Sequence, residues 1–169
     1  MSYTEAQQKT VNRWVAALRS GTYQQGQRVL RNDHNGYCCL GVLCDLVKGE
    51  LGLKWGEPQS NAPDLIVERR PGVYPIQSVT EGKDNLNAAV LPEIVMRELG
   101  FKTKMGQFKF SDELFERFPK LKERWAVTGV YNASLAALND NGWTFGEIAD
   151  LLESGLADVF NYDSTDREW

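Results

Sequence analysis

His34, Cys38, Cys39 and Cys44 are the only histidine and the only cysteines of this 169-residue chain, so all of its thiol and imidazole chemistry begins between positions 34 and 44. Zinc takes such ligands, but only if they converge. Here Cys39, Val42, Leu43, Leu46 and Val47 recur at helical spacing. At about 100° per residue, Cys44 lies about 140° around that helix from Cys39 and about 120° from Cys38. The three sulfurs therefore diverge unless the helix breaks at Gly41. No metal site is expected, and the cysteines read as small apolar residues of a buried helix. A second chemistry is a thiol enzyme. Cys38 falls in the first turn, where the helix dipole lowers a thiol's pKa, and His34 stands four residues upstream as a base, with no third group to orient it.

Cations offer a different chemistry. From Phe101 to Phe110 apolar and lysine positions alternate around Gly106-Gln107, the pattern of a two-residue hairpin. That register sets Met105 against Phe108 and Lys104 against Lys109, with Lys102 on the same face. Like charges opposite each other cost a few tenths to about 1 kcal/mol, which a bound anion would relieve. Arg28, Arg31, Arg69 and Arg70 would extend the positive surface. The competing reading is a lysine-bearing edge that blocks strand-to-strand aggregation. For a nucleotide, the cations would meet phosphate, Tyr37 would stack on the base, and Asn139 or Asp140 would accept hydrogen bonds from its edge.

The elements that must position these groups are mostly helices. Thr4 and Gln7 have capping-box spacing ahead of the stripe Val11, Trp14, Val15 and Leu18, and Gly21 can end that helix. Residues 22–36 are polar loop, with one short helical turn at most, and the central helix runs from Tyr37 to about Val47. Residues 53–87, with pieces such as Leu65–Val67, suit brief strands and loops. Short helices follow over Leu91–Leu99, with Pro92 at the first position, and from Ser111 through Leu114, Phe115 and Phe118 to Pro119. Ser134 caps Leu135–Asp140, and Thr144 with Glu147 boxes the helix of Phe145, Ile148, Ala149 and Leu152. These last two helices have helix-turn-helix spacing, but Glu147, Asp150 and Glu153 would repel phosphates, so DNA is not an expected partner.

Composition bounds the rest. With 42% apolar residues the chain can bury one self-sufficient core, and a net charge of -4 selects no partner. No leader or membrane span is legible, and an odd cysteine count cannot close a disulfide framework. The expectation is a cytoplasmic, single-domain α+β protein over 1–160, mostly helical with a small antiparallel sheet, and a polar tail over 161–169. Its core should gather Trp14, Cys39, Leu43, Leu46, Ile94, Leu138 and Ile148. The glycosylation pattern Asn132-Ala133-Ser134 is then accidental.

Two motifs carry a family resemblance: YCCLGVLCDL over 37–46, preceded by WVAALRSG over 14–21, and LNDNGWTFGEIADL over 138–151. Together they resemble a group of small uncharacterised proteins encoded largely by bacteriophages. The resemblance implies a phage-type accessory protein and assigns no catalytic residue and no cofactor. The function expected is binding without catalysis. An anionic small molecule, a nucleotide above all, would be sequestered by Arg28, Arg31, Tyr37, Lys102, Lys104, Lys109, Asn139 and Asp140, in host counter-defence. The alternatives are an inhibitor gripping a host protein through Trp143 and Phe115–Phe118, and the Cys38 enzyme. A homo-oligomer is left open.

Overall fold

Thr4 accepts the Gln7 backbone N–H and Gln7 returns the bond, so the first helix, α1 (Glu5–Arg19), starts at the expected box. The computed structural model describes residues 3–56, 74–78, 88–125 and 132–160. Val11, Trp14, Val15 and Leu18 of α1 are buried against α2 (Cys39–Val47) and α7 (Phe145–Glu153). Trp14 also donates its indole N–H to the Cys39 carbonyl at 2.9 Å, which fixes the two helices in register. Each such side chain, fully buried, stabilises the fold by about 2 to 3 kcal/mol.

Helix α2 is buried on nearly every side. Gly41 explains how it fits: a Cβ there would lie 1.8 Å from the Leu30 carbonyl oxygen, so only glycine lets the 28–31 segment cross the helix backbone. Cys38 caps α2, its sulfur accepting the Gly41 N–H at 3.4 Å. The expected core residues Trp14, Cys39, Leu43, Leu138 and Ile148 are all fully buried, while Leu46 and Ile94 are half-buried at its margin, where Val47 and Val95 point inward instead.

Among the described residues the strands form three two-stranded ladders. Segment 22–36 holds no helical turn; β1 (Gln24–Gln25) instead pairs in parallel with β2 (Gly36–Tyr37). β3 (Leu53–Trp55) pairs antiparallel with β4 (Ile76–Ser78), and β5 (Gln107–Lys109) antiparallel with β6 (Asn132–Ser134). The fold is thus α+β, mostly helical, with small antiparallel ladders. Leu65–Val67, Arg69, Arg70 and the 161–169 tail lie outside the described residues.

The expected 101–110 hairpin does not form. Gly106 donates its N–H to the Thr103 carbonyl and takes a left-handed φ of 65°, so the chain turns at 104–105, two residues upstream of the expected place. Phe101 bridges to Phe160, and β5 finds a distant partner in β6. Lys109 then faces the neutral Asn132 rather than Lys104, which removes the like-charge pair.

The remaining helices are α3 (Glu93–Leu99), ended by Gly100 at φ 73°, α4 (Asp112–Arg117), α5 (Pro119–Trp125) and α6 (Leu135–Asp140). Pro92 is the cap of α3 rather than its first residue. Ser111, Ser134 and Thr144 cap α4, α6 and α7 as their sequence positions suggest. α6 is largely buried, and the acidic face of α7 is bound: Arg19 pairs with Asp150 and Glu153, and Lys120 with Glu147. The α6–α7 pair therefore packs into the core, with the acidic side chains of α7 tied to Arg19 and Lys120.

Candidate functional site

The eight residues selected from sequence separate into three places and one isolated lysine. Lys102 and Lys109 share a cavity of about 380 Å³, which the other six do not line. Its floor is the outward face of the β5–β6 ladder, where alternation places Gln107, Lys109 and Asn132 together. One wall is Lys102 and Thr103, whose hydroxyl accepts the Gln107 N–H at 2.9 Å. Phe110, Ser111 and Glu113 form a second, and Gly155, Leu156 and Asp158 a third. Phe110 is half-buried and stands against Phe115 with centroids 4.9 Å apart. Lys102 and Asp158 make a largely buried ion pair, 2.6 Å between Nζ and Oδ2. A ligand here meets donors, acceptors and both signs of charge beside an aromatic wall. Gln107, Phe110, Asn132 and Asp158 were missed in the sequence reading, because only the β5–β6 pairing and the 155–158 turn bring them to the lysines.

Arg31 and Tyr37 belong to a second cluster. The Arg31 guanidinium carbon lies over the rings of Tyr74, Tyr37 and Trp55, at 4.5, 5.4 and 5.7 Å from their centroids. Tyr37 meets Tyr23 and Trp55 edge-on. Beneath them Asp45 accepts from the Tyr23 hydroxyl at 2.9 Å and the Trp55 indole at 2.7 Å, and pairs with Lys48. Burial pushes the Asp45 carboxyl up, but the bonds from Lys48, Trp55 and Tyr23 outweigh it and hold the group below its usual range. Burial, then the bond to Asp45, raises Tyr23 to about 12.

The third place is an internal hydrogen-bond network. Asn139 is fully buried, and its carboxamide is consumed internally: Oδ1 accepts from Cys39 N at 3.2 Å and Gln25 Nε2 at 3.0 Å, while Nδ2 donates to the Gly26 carbonyl at 2.8 Å. Asp140 accepts the Arg28 backbone N–H at 2.7 Å, holding Arg28 at a left-handed φ of 68°. Gln25 closes the network through the Trp143 carbonyl and the Phe145 N–H. Asn139 is thus corrected from a ligand acceptor to a tie that fastens the 24–28 loop onto α6, and half-buried Asp140 spends Oδ1 on the same loop. Arg28 keeps an exposed side chain that belongs to neither of the other clusters. Lys104 is exposed and stands outside the cavity, its carbonyl accepting the Leu91 N–H.

The thiols are placed for packing. All three are free and buried, and burial pushes Cys38 up to about 12 and Cys39 and Cys44 well above their ordinary value. The dyad drawn from sequence does not assemble, because His34 is exposed beside Asp33 while Cys38 is only 3% exposed. Among the described residues no group of three or more His, Cys, Asp and Glu is gathered as a metal would need.

The two motifs meet in space. Cys39 of YCCLGVLCDL gives its N–H to Asn139 of LNDNGWTFGEIADL, and its sulfur reaches the Leu135 carbonyl at 3.4 Å. Both motifs lie inside residues 6–156, which match a family described as a domain of unknown function, DUF8296. The chain belongs to the DUF8296 family. No curated protein and no solved structure matches it. Among the described residues no helix is long and apolar enough to cross a membrane.

Proposed function

We propose that this DUF8296 protein is a binding protein that captures a small anionic molecule carrying a planar ring, a nucleotide above all, in the Lys102–Lys109 cavity, and releases it unchanged. The observation that supports this reading is the convergence of two lysines with Phe110 and the Gln107 and Asn132 carboxamides on one cavity of about 380 Å³. That size lies in the range of small-molecule sites. Phosphate would take the lysines, the ring would lie against Phe110, and the carboxamides would read its edge. Glu113 and Asp158 would reject ligands whose charge falls at the wrong end.

A thiol enzyme gains nothing from this geometry, since the cavity and the buried cysteines share no residue. The host-protein inhibitor loses an anchor: Trp143 is 2% exposed, its indole packed beside Phe118 and under Lys120. Three free thiols suit a reducing compartment, and the resemblance to phage-encoded proteins supports an accessory role in the host cytoplasm, with sequestration of a defence signal as its purpose.

Native mass spectrometry against a panel of linear and cyclic nucleotides tests the reading and gives the oligomeric state in the same spectra. A stoichiometric adduct, released unchanged on denaturation and weakened at least tenfold by Lys109→Glu, is the expected result. Lys104→Glu should leave it unchanged, because Lys104 lies outside the cavity. No adduct with folded protein, or equal binding by Lys109→Glu, refutes the proposal.

A further inference from the structure

Arg31 has donors that the described residues leave unused. Of the five N–H groups of a guanidinium, one Nη bond is made to a neutral acceptor, Asn35 Oδ1 at 2.8 Å. Its Nε is buried with no hydrogen-bond partner, the one buried side-chain nitrogen or oxygen among the described residues in that condition. Among those residues no carboxylate pairs with it, and the neighbouring Asp45 is taken by Tyr23, Lys48 and Trp55. Three aromatic rings surround the cation instead.

These facts conflict unless something is added. Aromatic faces attract a guanidinium but accept no conventional hydrogen bond from its edge. A buried donor left unsatisfied costs about 1 to 3 kcal/mol, more when charged, and native structures rarely leave one without a ligand, ion or water to explain it. The position is also firmly built. Arg31 bridges to Tyr37 across the strand, Tyr74 donates its N–H to the Arg31 carbonyl at 3.1 Å, and Asn35, the acceptor for Nη, is held at a left-handed φ of 57°. A side chain this constrained has little rotamer entropy left to lose on binding.

We infer that Arg31 is the receptor for an oxyanion, a carboxylate or a phosphoester, which accepts from Nε and an Nη in the parallel two-bond geometry that arginine favours. Tyr37, Trp55 and Tyr74 serve as walls that exclude water and strengthen the pair. The site shares no residue with the Lys102–Lys109 cavity and stands whether or not that cavity binds a nucleotide.

Side-chain NMR on ¹⁵N-labelled full-length protein tests this. The Arg31 Nε–Hε resonance, assigned by its loss in Arg31→Lys, is followed during titration with inorganic phosphate and, separately, with acetate, against sodium chloride at equal ionic strength. A saturable shift with phosphate or acetate but not chloride is expected, with the Trp55 indole resonance moving in step. The tighter of the two anions names the source, a phosphoester or a carboxylate. Arg31→Lys keeps the charge over the rings and loses Nε, so binding read at Trp55 should weaken at least tenfold while the melting temperature shows the variant folded. If the wild-type Nε–Hε resonance does not shift with either anion, or if Arg31→Lys binds as well as wild type, the assignment is wrong.

Discussion

Gly41→Ala should be among the most damaging single-methyl additions in this protein, although alanine is the better helix former. The new Cβ would sit 1.8 Å from the Leu30 carbonyl oxygen and 2.6 Å from its carbon, and ordinary contact begins at 3.4 Å. The two backbones must therefore part by about 1.6 Å, since neither obstacle is the end of a flexible side chain. Parting them stretches the Cys38 N–H bond to the Leu30 carbonyl, already 3.3 Å long, and lifts α2 off its neighbours. Overpacking of this kind costs about 3 kcal/mol at the upper end of the usual range. The lost backbone bond adds about 1, and the gain in helix propensity returns about 1. A net loss of about 3 kcal/mol is a large part of the 5 to 15 that holds a domain together. With a urea m-value of about 2 kcal/mol/M, the unfolding midpoint should fall by about 1.5 M. Gly49→Ala is the matched control. Nothing lies within 4 Å of its added Cβ and its φ is not left-handed, so it should be neutral or stabilising by about 0.4 to 1 kcal/mol. Equal midpoints for the two variants would refute the claim that glycine at 41 is there for close approach.

Asn139→Ala strands the Cys39 N–H, the Gln25 amide and the Gly26 carbonyl, and should cost about 3 to 5 kcal/mol by urea unfolding; a loss under about 1 would mean that the network is not load-sharing. The thiols should resist iodoacetamide at pH 7, where a group at about 12 is ionised to the order of one part in 10⁵, and label only after denaturation; quick labelling of native Cys38 would reverse this. The Asp45 cluster predicts a pH profile with two limbs. Asp45 is held below its unfolded value, so its stabilisation is present above about pH 4 and fades as pH falls through the depressed value. Tyr23 is raised to about 12, so its contribution is full below about pH 10 and fades as pH rises towards 12. Asp45→Asn should flatten the acid limb of a melting-temperature profile, and an unchanged acid limb would place the titrating group elsewhere.

The elements legible in the sequence were those with local causes. Thr4 with Gln7, Thr144 with Glu147, and Gly100 announce helix ends by bonds made within a few residues, and the structure has them where the spacing puts them. The 101–110 segment shows the opposite case. Its alternation is real, since Phe108 is buried and Lys109 exposed, but period two says only that a strand has two faces. It cannot say that the partner is Asn132–Ser134, or that Phe101 closes on Phe160. The same distance hid the cavity, whose walls come from segments around 102, 110, 132 and 156. Polar residues misled for a related reason: Asn139 and Asp140 have the chemistry of ligand acceptors, and only the fold reveals that the 24–28 loop and the Cys39 N–H already occupy them.

The two motifs spend their polar groups on one another and on the loops between them: the Cys39 N–H on Asn139, Asp140 on Arg28, and Asp45 on Tyr23 and Trp55. Gly41 is spent on the crossing with Leu30. A chain carrying both motifs is therefore specified to fold in this way, with few motif groups left over for a ligand. The cavity lysines, Phe110 and the unsatisfied Arg31 edge all lie outside both motifs, while Tyr37 and Asp45 join the first motif to the Arg31 cluster. A second chain carrying both segments should therefore adopt this scaffold even where residues 31, 55, 74, 102–113 and 132 differ, since none of these enters the bonds that join the segments.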